Sequence, residues 1–259
     1  MKWPNTLTVI RHGESSYNVL KALKEQDPDY VEFKKAYNRR KKDPERAREL
    51  AQKIMDEGKY VLGVGEHDTG MTDRGIEQAI KTGEKLRDRI ELPDVIRVSP
   101  YERTLHTLGY MAVGWPELAS VKKIEEERLR EQEHGLAALY NDWRIFQAIH
   151  RDQDALREIQ GPYWYRYPQG ENVPDVRERA RSEMITVSRD YHEQNVMMVT
   201  HHLWILALRA NMDRLDKAGY QDLDDNFKPI NCGVSIYRGD PTQGEDGKLI
   251  LDTYNEQLY

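Results

Sequence analysis

Leu7-Thr8-Val9-Ile10-Arg11-His12-Gly13-Glu14-Ser15 runs from a short apolar stretch straight into an arginine, a histidine and a glycine. An apolar, β-branched run of this length that ends at a turn former reads as a buried strand. Its end delivers two side chains suited to phosphate. An arginine forks onto two phosphate oxygens. An imidazole serves as nucleophile or general base near neutral pH. The glycine lets the backbone pass close to a ligand.

Comparable runs follow at 95–98, 121–124, 196–200, 234–237 and 249–253, with helical periodicity between most of them at 73–90, 101–111, 142–159, 174–192 and 203–217. Strands alternating with helices predict an α/β fold, a three-layer α/β/α sandwich around a mostly parallel sheet. Gly239-Asp240-Pro241 and Gly244-Glu245-Asp246-Gly247 separate the last two runs, which reads as a hairpin with an antiparallel edge strand. Ligands bind beyond the carboxyl ends of the strands in such sheets. Arg11-His12, Ser99-Pro100 and His201-His202 each follow a predicted strand end and should converge there.

The 259 residues are read as one domain, 1–259, carrying an inserted helical hairpin at 19–64. Asp27-Pro28 and Asp43-Pro44 both look like helix starts, with aspartate as cap and proline in the first helical position. Gly58 stops the second helix. Arg39-Arg40-Lys41-Lys42 at the hairpin tip reads as a solvated charge run, and Tyr163-Trp164-Tyr165-Arg166-Tyr167 as an aromatic loop packed on the domain. The net charge of −6 argues against nucleic-acid binding as the main activity. The single cysteine, Cys232, allows no intrachain disulfide and gives no metal-ligand pattern. Lys2-Trp3-Pro4-Asn5 is no apolar leader, and no stretch approaches membrane-spanning length, so a cytoplasmic protein is expected.

Four further segments fit the chemistry of the first. Asp68-Thr69-Gly70-Met71-Thr72-Asp73-Arg74-Gly75 places Thr72 as a helix cap. Ser99-Pro100-Tyr101-Glu102-Arg103 reads as a second helix start, with Ser99 as cap and Arg103 in the first turn, where an arginine makes a phosphate clamp. Leu129-Arg130-Glu131-Gln132-Glu133-His134-Gly135 supplies carboxylates in a loop, and Val199-Thr200-His201-His202 ends a strand on a second histidine.

Together these segments resemble the histidine phosphatase superfamily, in its phosphoglycerate-mutase-like branch. The resemblance covers residues 7 to about 237. It implies that His12 takes the phosphoryl group, and that Arg11, Arg103 and His201 hold its oxygens with the main-chain amide of His202. Glu131 would be the general acid, with Glu133 as its competitor. Glu14 and Asn18 match positions at the substrate rim, and Gly65 stands there where mutases carry Thr-Gly. Two histidines in one site imply opposite protonation, His12 neutral and His201 charged. No metal and no cofactor are implied, because the arginines neutralise the phosphate. The expected partner is a small phosphorylated substrate, with no nucleic acid and no membrane, and the family leaves room for a homodimer.

Val64-Gly65 lacks the mutase hydroxyl, and the stretch ahead of Gly170-Glu171-Asn172 has a single arginine, Arg166, instead of an adjacent pair. These departures favour hydrolysis of a phosphomonoester through a phosphohistidine. The alternatives are a phosphoglycerate-type mutase and a protein-binding module with a vestigial site.

Overall fold

The computed structural model describes residues 2–140 and 142–259. Among these, six strands form one sheet: β1 (Thr6–Arg11), β2 (Val95–Val98), β3 (Lys122–Glu125), β4 (Asn195–Thr200), β5 (Val234–Asp240) and β6 (Lys248–Glu256). Their spatial order is β3-β2-β4-β1-β5-β6. The first four run parallel, β5 lies antiparallel to β1, and β6 forms the edge hairpin with β5. In chain order the helices are α1 (Ser16–Lys24), α2 (Pro28–Asn38), α3 (Pro44–Asp56), α4 (Asp73–Leu86) and α5 (Glu102–Gly114). After them come α6 (Trp143–Ile149), α7 (Arg151–Gln160), α8 (Val173–Asp190), α9 (His202–Met212) and α10 (Lys217–Asn226).

The chain divides into two compact units, one of residues up to Ser15, His67–Glu131 and Val173–Tyr259, the other of Ser16–Glu66 and Gln132–Asn172. The first holds the whole sheet. Successive side chains of a strand point to opposite faces. Leu7, Val9, Val196 and Met198 accordingly pack with Val176, Ala180, Trp204 and Leu208 of α8 and α9. Ile10, Ile96, Met197 and Val199 pack with Ala79, Leu86, Leu108 and Met111 of α4 and α5. Helices on both faces make this unit the expected three-layer α/β/α sandwich. A strand covered on both faces has no polar side, which is why 196–199 reads Val-Met-Met-Val without alternation. Burial of each such side chain contributes roughly 1.5–3 kcal/mol. Arg97 of β2 is buried beside them and reaches the carboxylates of Glu183 in α8 and Glu126. Glu183 also takes Arg128 at 2.8 Å.

The second unit has its own core, in which Tyr30, Phe33 and Tyr37 of α2 meet Leu50 and Ile54 of α3 and Ile145 of α6. Asp27 caps α2 through the Asp29 amide at 2.8 Å, and Asp43 caps α3 through the Arg46 amide at 3.1 Å. The expected hairpin at 19–64 thus belongs with 132–172. Lys24 is buried on Asp142 at 3.0 Å. Tyr163, Tyr165 and Tyr167 are buried while Trp164 points outward, so the aromatic stretch is mainly packing.

Three expectations need correction. The helix read at 142–159 is two helices, broken at His150, whose Nε2 lies 2.7 Å from the Tyr140 hydroxyl and whose ring packs on Phe146. The helix expected over 203–217 ends at Met212, and α1 and all of α10 beyond Lys217 lie outside the stretches whose periodicity predicts a helix. The charge run at 39–42 is not simply solvated, because Arg40 binds Asp154 at 2.7 Å and Glu158 at 2.9 Å on α7.

Candidate active site

The register of β1 against β4 pairs Arg11 with Thr200, so His12 and His201 leave neighbouring strands side by side. Their ring centroids are 5.2 Å apart with the planes tilted by 58°. On the other side of β4, Val98 pairs with Val199, which brings Ser99 to the same sheet edge.

His12 is 3% exposed, and its Nδ1 lies 2.7 Å from the carbonyl oxygen of Gly13. A carbonyl can only accept, so Nδ1 carries the proton and Nε2 keeps its lone pair. The backbone behind the ring is pinned. The His12 carbonyl accepts from the Cys232 amide at 3.2 Å and from Asn231 Nδ2 at 3.1 Å. The Gly13 amide donates to Thr107 Oγ1 at 2.9 Å. Gly13 is explained by packing as well as by ligand approach. A Cβ there would sit 2.7 Å from the carbonyl oxygen of Gly75, in the first turn of α4. A Cβ on Gly75 would in turn meet the Glu14 carbonyl oxygen at 2.1 Å. The two glycines let the loop of residues 12–14 lie against that turn.

His201 is fully buried, with Nε2 2.8 Å from Ser99 Oγ, while its Nδ1 has no hydrogen-bond partner. Ser99 is therefore not the cap of α5. Tyr101 holds that position without a side-chain bond, and the serine hydroxyl is committed to the imidazole. Arg103 still falls in the first turn of α5, as expected. Its guanidinium lies 4.8 Å from the Tyr101 ring centroid. The Tyr101 ring also meets His201 at 4.9 Å and His67 at 4.2 Å.

The electrostatics follow from this crowding. Burial first, then Arg103 and Arg11, hold His12 well below the ordinary histidine range. Burial, Arg103 and His12 do the same to His201. With no anion bound, burial and the neighbouring cations favour the neutral form of both imidazoles. The arriving dianion would have to supply the field that favours a second cation. Burial pushes Arg11 down to about 10, against the pull of Glu131, and it stays charged at neutral pH. Its Nη1 donates to the Pro229 carbonyl at 2.8 Å.

Glu131 accepts the Leu203 amide at 3.1 Å, in the first turn of α9, where a carboxylate suits the positive helix end. His202 opens α9, and its Nε2 lies 3.4 Å from Asp224 Oδ1 of α10. Glu14 accepts from Thr72 Oγ1 at 2.9 Å and lies 3.5 Å from Arg74. Thr72 caps α4 as read, through the Gly75 amide at 3.1 Å. Arg11, His12, Glu14, Arg103, Glu131, His201 and His202 all belong to the first unit, whereas Asn18, Gly65 and Glu133 belong to the second. Among the described residues, no group of three or more His, Cys, Asp or Glu side chains is arranged to hold a metal ion. No helix among them is long and apolar enough to cross a membrane. Sequence reasoning missed Thr107 and Asn231. Thr107 had a signal, since it stands one helical turn after Arg103.

Residues 45–246 match the family model of the histidine phosphatase superfamily, branch 1. The chain belongs to the histidine phosphatase superfamily. The match contains Arg103, Glu131, His201 and His202 but starts after Arg11 and His12, which the parallel β1–β4 register brings to the same edge. A phosphoglycerate mutase-like protein of Arabidopsis thaliana is 30% identical over 272 residues, covering 98% of this chain and 71% of the relative. A broad-range acid phosphatase of Saccharomyces cerevisiae is 23% identical over 258 residues, covering 78% of this chain and 76% of the yeast protein. The solved α-ribazole phosphatase of Shigella flexneri shares the histidine phosphatase fold, with a TM-score of 0.66 at 18% identity over 98% of this chain and 97% of that one.

Proposed function

We propose that this protein hydrolyses a small phosphomonoester through a phosphohistidine at His12 Nε2. The observation that carries this reading is the His12 Nδ1–Gly13 bond of 2.7 Å, which leaves Nε2 as a buried lone pair among Arg11, Arg103 and His201. In the first step Nε2 attacks phosphorus and the ester P–O bond breaks. Glu131 gives a proton to the departing oxygen, which leaves as an alcohol. In the second step water attacks phosphorus and the P–Nε2 bond breaks, Glu131 takes the water's proton, inorganic phosphate is released and neutral His12 is regenerated. Arg11 and Arg103 stabilise the charge on the transferring group, the term that dominates in such sites. Those two cations supply the neutralisation a metal would otherwise provide, so turnover should survive a chelator. The yeast relative, named a broad-range acid phosphatase, supports hydrolysis.

The mutase-like name of the Arabidopsis relative supports a second reading, transfer of the phosphoryl group from His12 to a hydroxyl. The missing hydroxyl at Val64 and the single Arg166 weigh against it. Rapid quenching with a labelled aryl phosphate tests the shared step: label should appear on His12 as an acid-labile, base-stable adduct. Label recovered elsewhere, or none during turnover, refutes the covalent route. With 3-phosphoglycerate, inorganic phosphate supports hydrolysis and the 2-isomer supports the mutase.

A further inference from the structure

The loop that carries Glu131 is held by an unusual arrangement of its carbonyls. A loop outside the sheet needs donors for its carbonyl oxygens. Arg179 of α8 supplies three of them. Its Nη1 donates to the carbonyls of Arg128 at 2.7 Å and Arg130 at 3.0 Å, and its Nη2 to that of Glu131 itself at 3.2 Å. The carbonyl between them, Leu129, accepts from Thr200 Oγ1 at 2.7 Å, one residue before His201. Four successive carbonyls are thereby fixed by side chains, and Leu129 is fully buried beneath them.

The same face of α8 holds the loop a second time. Arg128 reaches back to the Ser182 carbonyl at 3.0 Å and to Thr186 Oγ1 at 2.9 Å. Residues 179, 182, 183 and 186 follow helical spacing, so one stripe of α8 forms the seat. Glu131 is gripped at both ends, with its carbonyl on Arg179 and its carboxylate on the Leu203 amide.

We propose that Arg179 is the positioning residue of the general acid, setting where the Glu131 carboxyl stands relative to the ester oxygen. The proposal rests on the reading of Glu131 as acid. A planar fork with five donors on separate nitrogens holds three carbonyls in a fixed geometry, where an ammonium offers three rotatable donors from a single nitrogen. Arg177, one residue pair away, binds Asn211 at 2.9 Å and the Leu215 carbonyl at 3.0 Å instead, and serves as a structural control.

The test compares an aryl phosphate, whose leaving group needs little protonation, with an alkyl phosphate, whose leaving group needs a proton. Arg179→Met should lower kcat on the alkyl phosphate on the order of 10- to 100-fold, as a misplaced catalytic group does. KM should be little changed, and kcat on the aryl phosphate should fall far less. Arg179→Lys should recover part of the alkyl rate, and Arg177→Met should leave the alkyl-to-aryl ratio as in the wild type. In the Glu131→Gln background, adding Arg179→Met should cost the alkyl substrate nothing further. Equal losses on both substrates for Arg179→Met, or a full additional loss in the double variant, would overturn the inference. If Glu131→Gln itself shows no preference between leaving groups, it is the reading of Glu131 as acid that fails.

Discussion

At the scale of single residues, the tautomer of His12 sets what the site can do. The Gly13 carbonyl holds the proton on Nδ1, so Nε2, the nucleophile of the proposed reaction, needs no base to deprotonate it. Replacing it by asparagine keeps a polar side chain of similar reach and removes the nucleophile. His12→Asn is expected to cut phosphate release from an aryl phosphate by more than about a thousandfold. Circular dichroism should remain that of the wild type. Near wild-type turnover would place the nucleophile elsewhere. Much of the residue-scale placement was legible in the sequence, because Arg11, His12 and His201 stand at ends of short apolar runs that the sheet must bury and Arg103 in the helical turn that follows another. What the sequence hid were side chains acting across long separations. Ser99 reads as a cap from its neighbours, yet its hydroxyl is used by a histidine 102 positions away. Arg179 reads as one more charge on an amphipathic helix, since nothing local marks the three carbonyls it meets.

At the scale of elements, α4 and the loop after β1 are fitted backbone to backbone. The Cβ of Gly75→Ala would overlap the Glu14 carbonyl, which cannot rotate out of the way as a side chain can. Gly75→Ala should therefore destabilise the protein by roughly 1–3 kcal/mol, the scale of overpacking, and lower kcat together with stability. Unfolding in urea checks the first and steady-state kinetics the second; a variant as stable and active as the wild type would show that the loop yields. In the second unit the corresponding weak point is Asp142. It caps α6 through the Arg144 amide at 2.8 Å and neutralises the buried ammonium of Lys24. Asp142→Ala removes the carboxylate that seats that buried ammonium and should cost about 3–5 kcal/mol. Asp142→Ala combined with Lys24→Met should recover part of the loss. Element reading succeeded where a cap announces a helix, at Asp27, Asp43 and Thr72. It failed at His150, where the helix breaks without proline or glycine because the imidazole is engaged by Tyr140.

For the whole molecule, the buried imidazoles tie stability to pH. His12 and His201 titrate in the unfolded chain near 6.5 and take a proton in the folded state only well below that. Below 6.5 the unfolded state binds more protons, so stability is full above that pH and declines as pH falls towards the folded values. Each imidazole contributes a slope of at most about 1.4 kcal/mol per pH unit in that window. Urea unfolding between pH 7.5 and 5 should show the decline, and the His12→Asn/His201→Asn double variant should flatten it; equal slopes would exclude these two groups as its source. The sheet order has a consequence of another kind. β1, which leads into His12, finds both of its strand neighbours, β4 and β5, only after residue 194, and β2 waits for β4 as well. A chain emerging from the ribosome therefore makes His12 long before it makes the two strands that flank β1. On the proposed mechanism, a product that stops before β4 lacks His201 and both strands beside β1, and should release no phosphate.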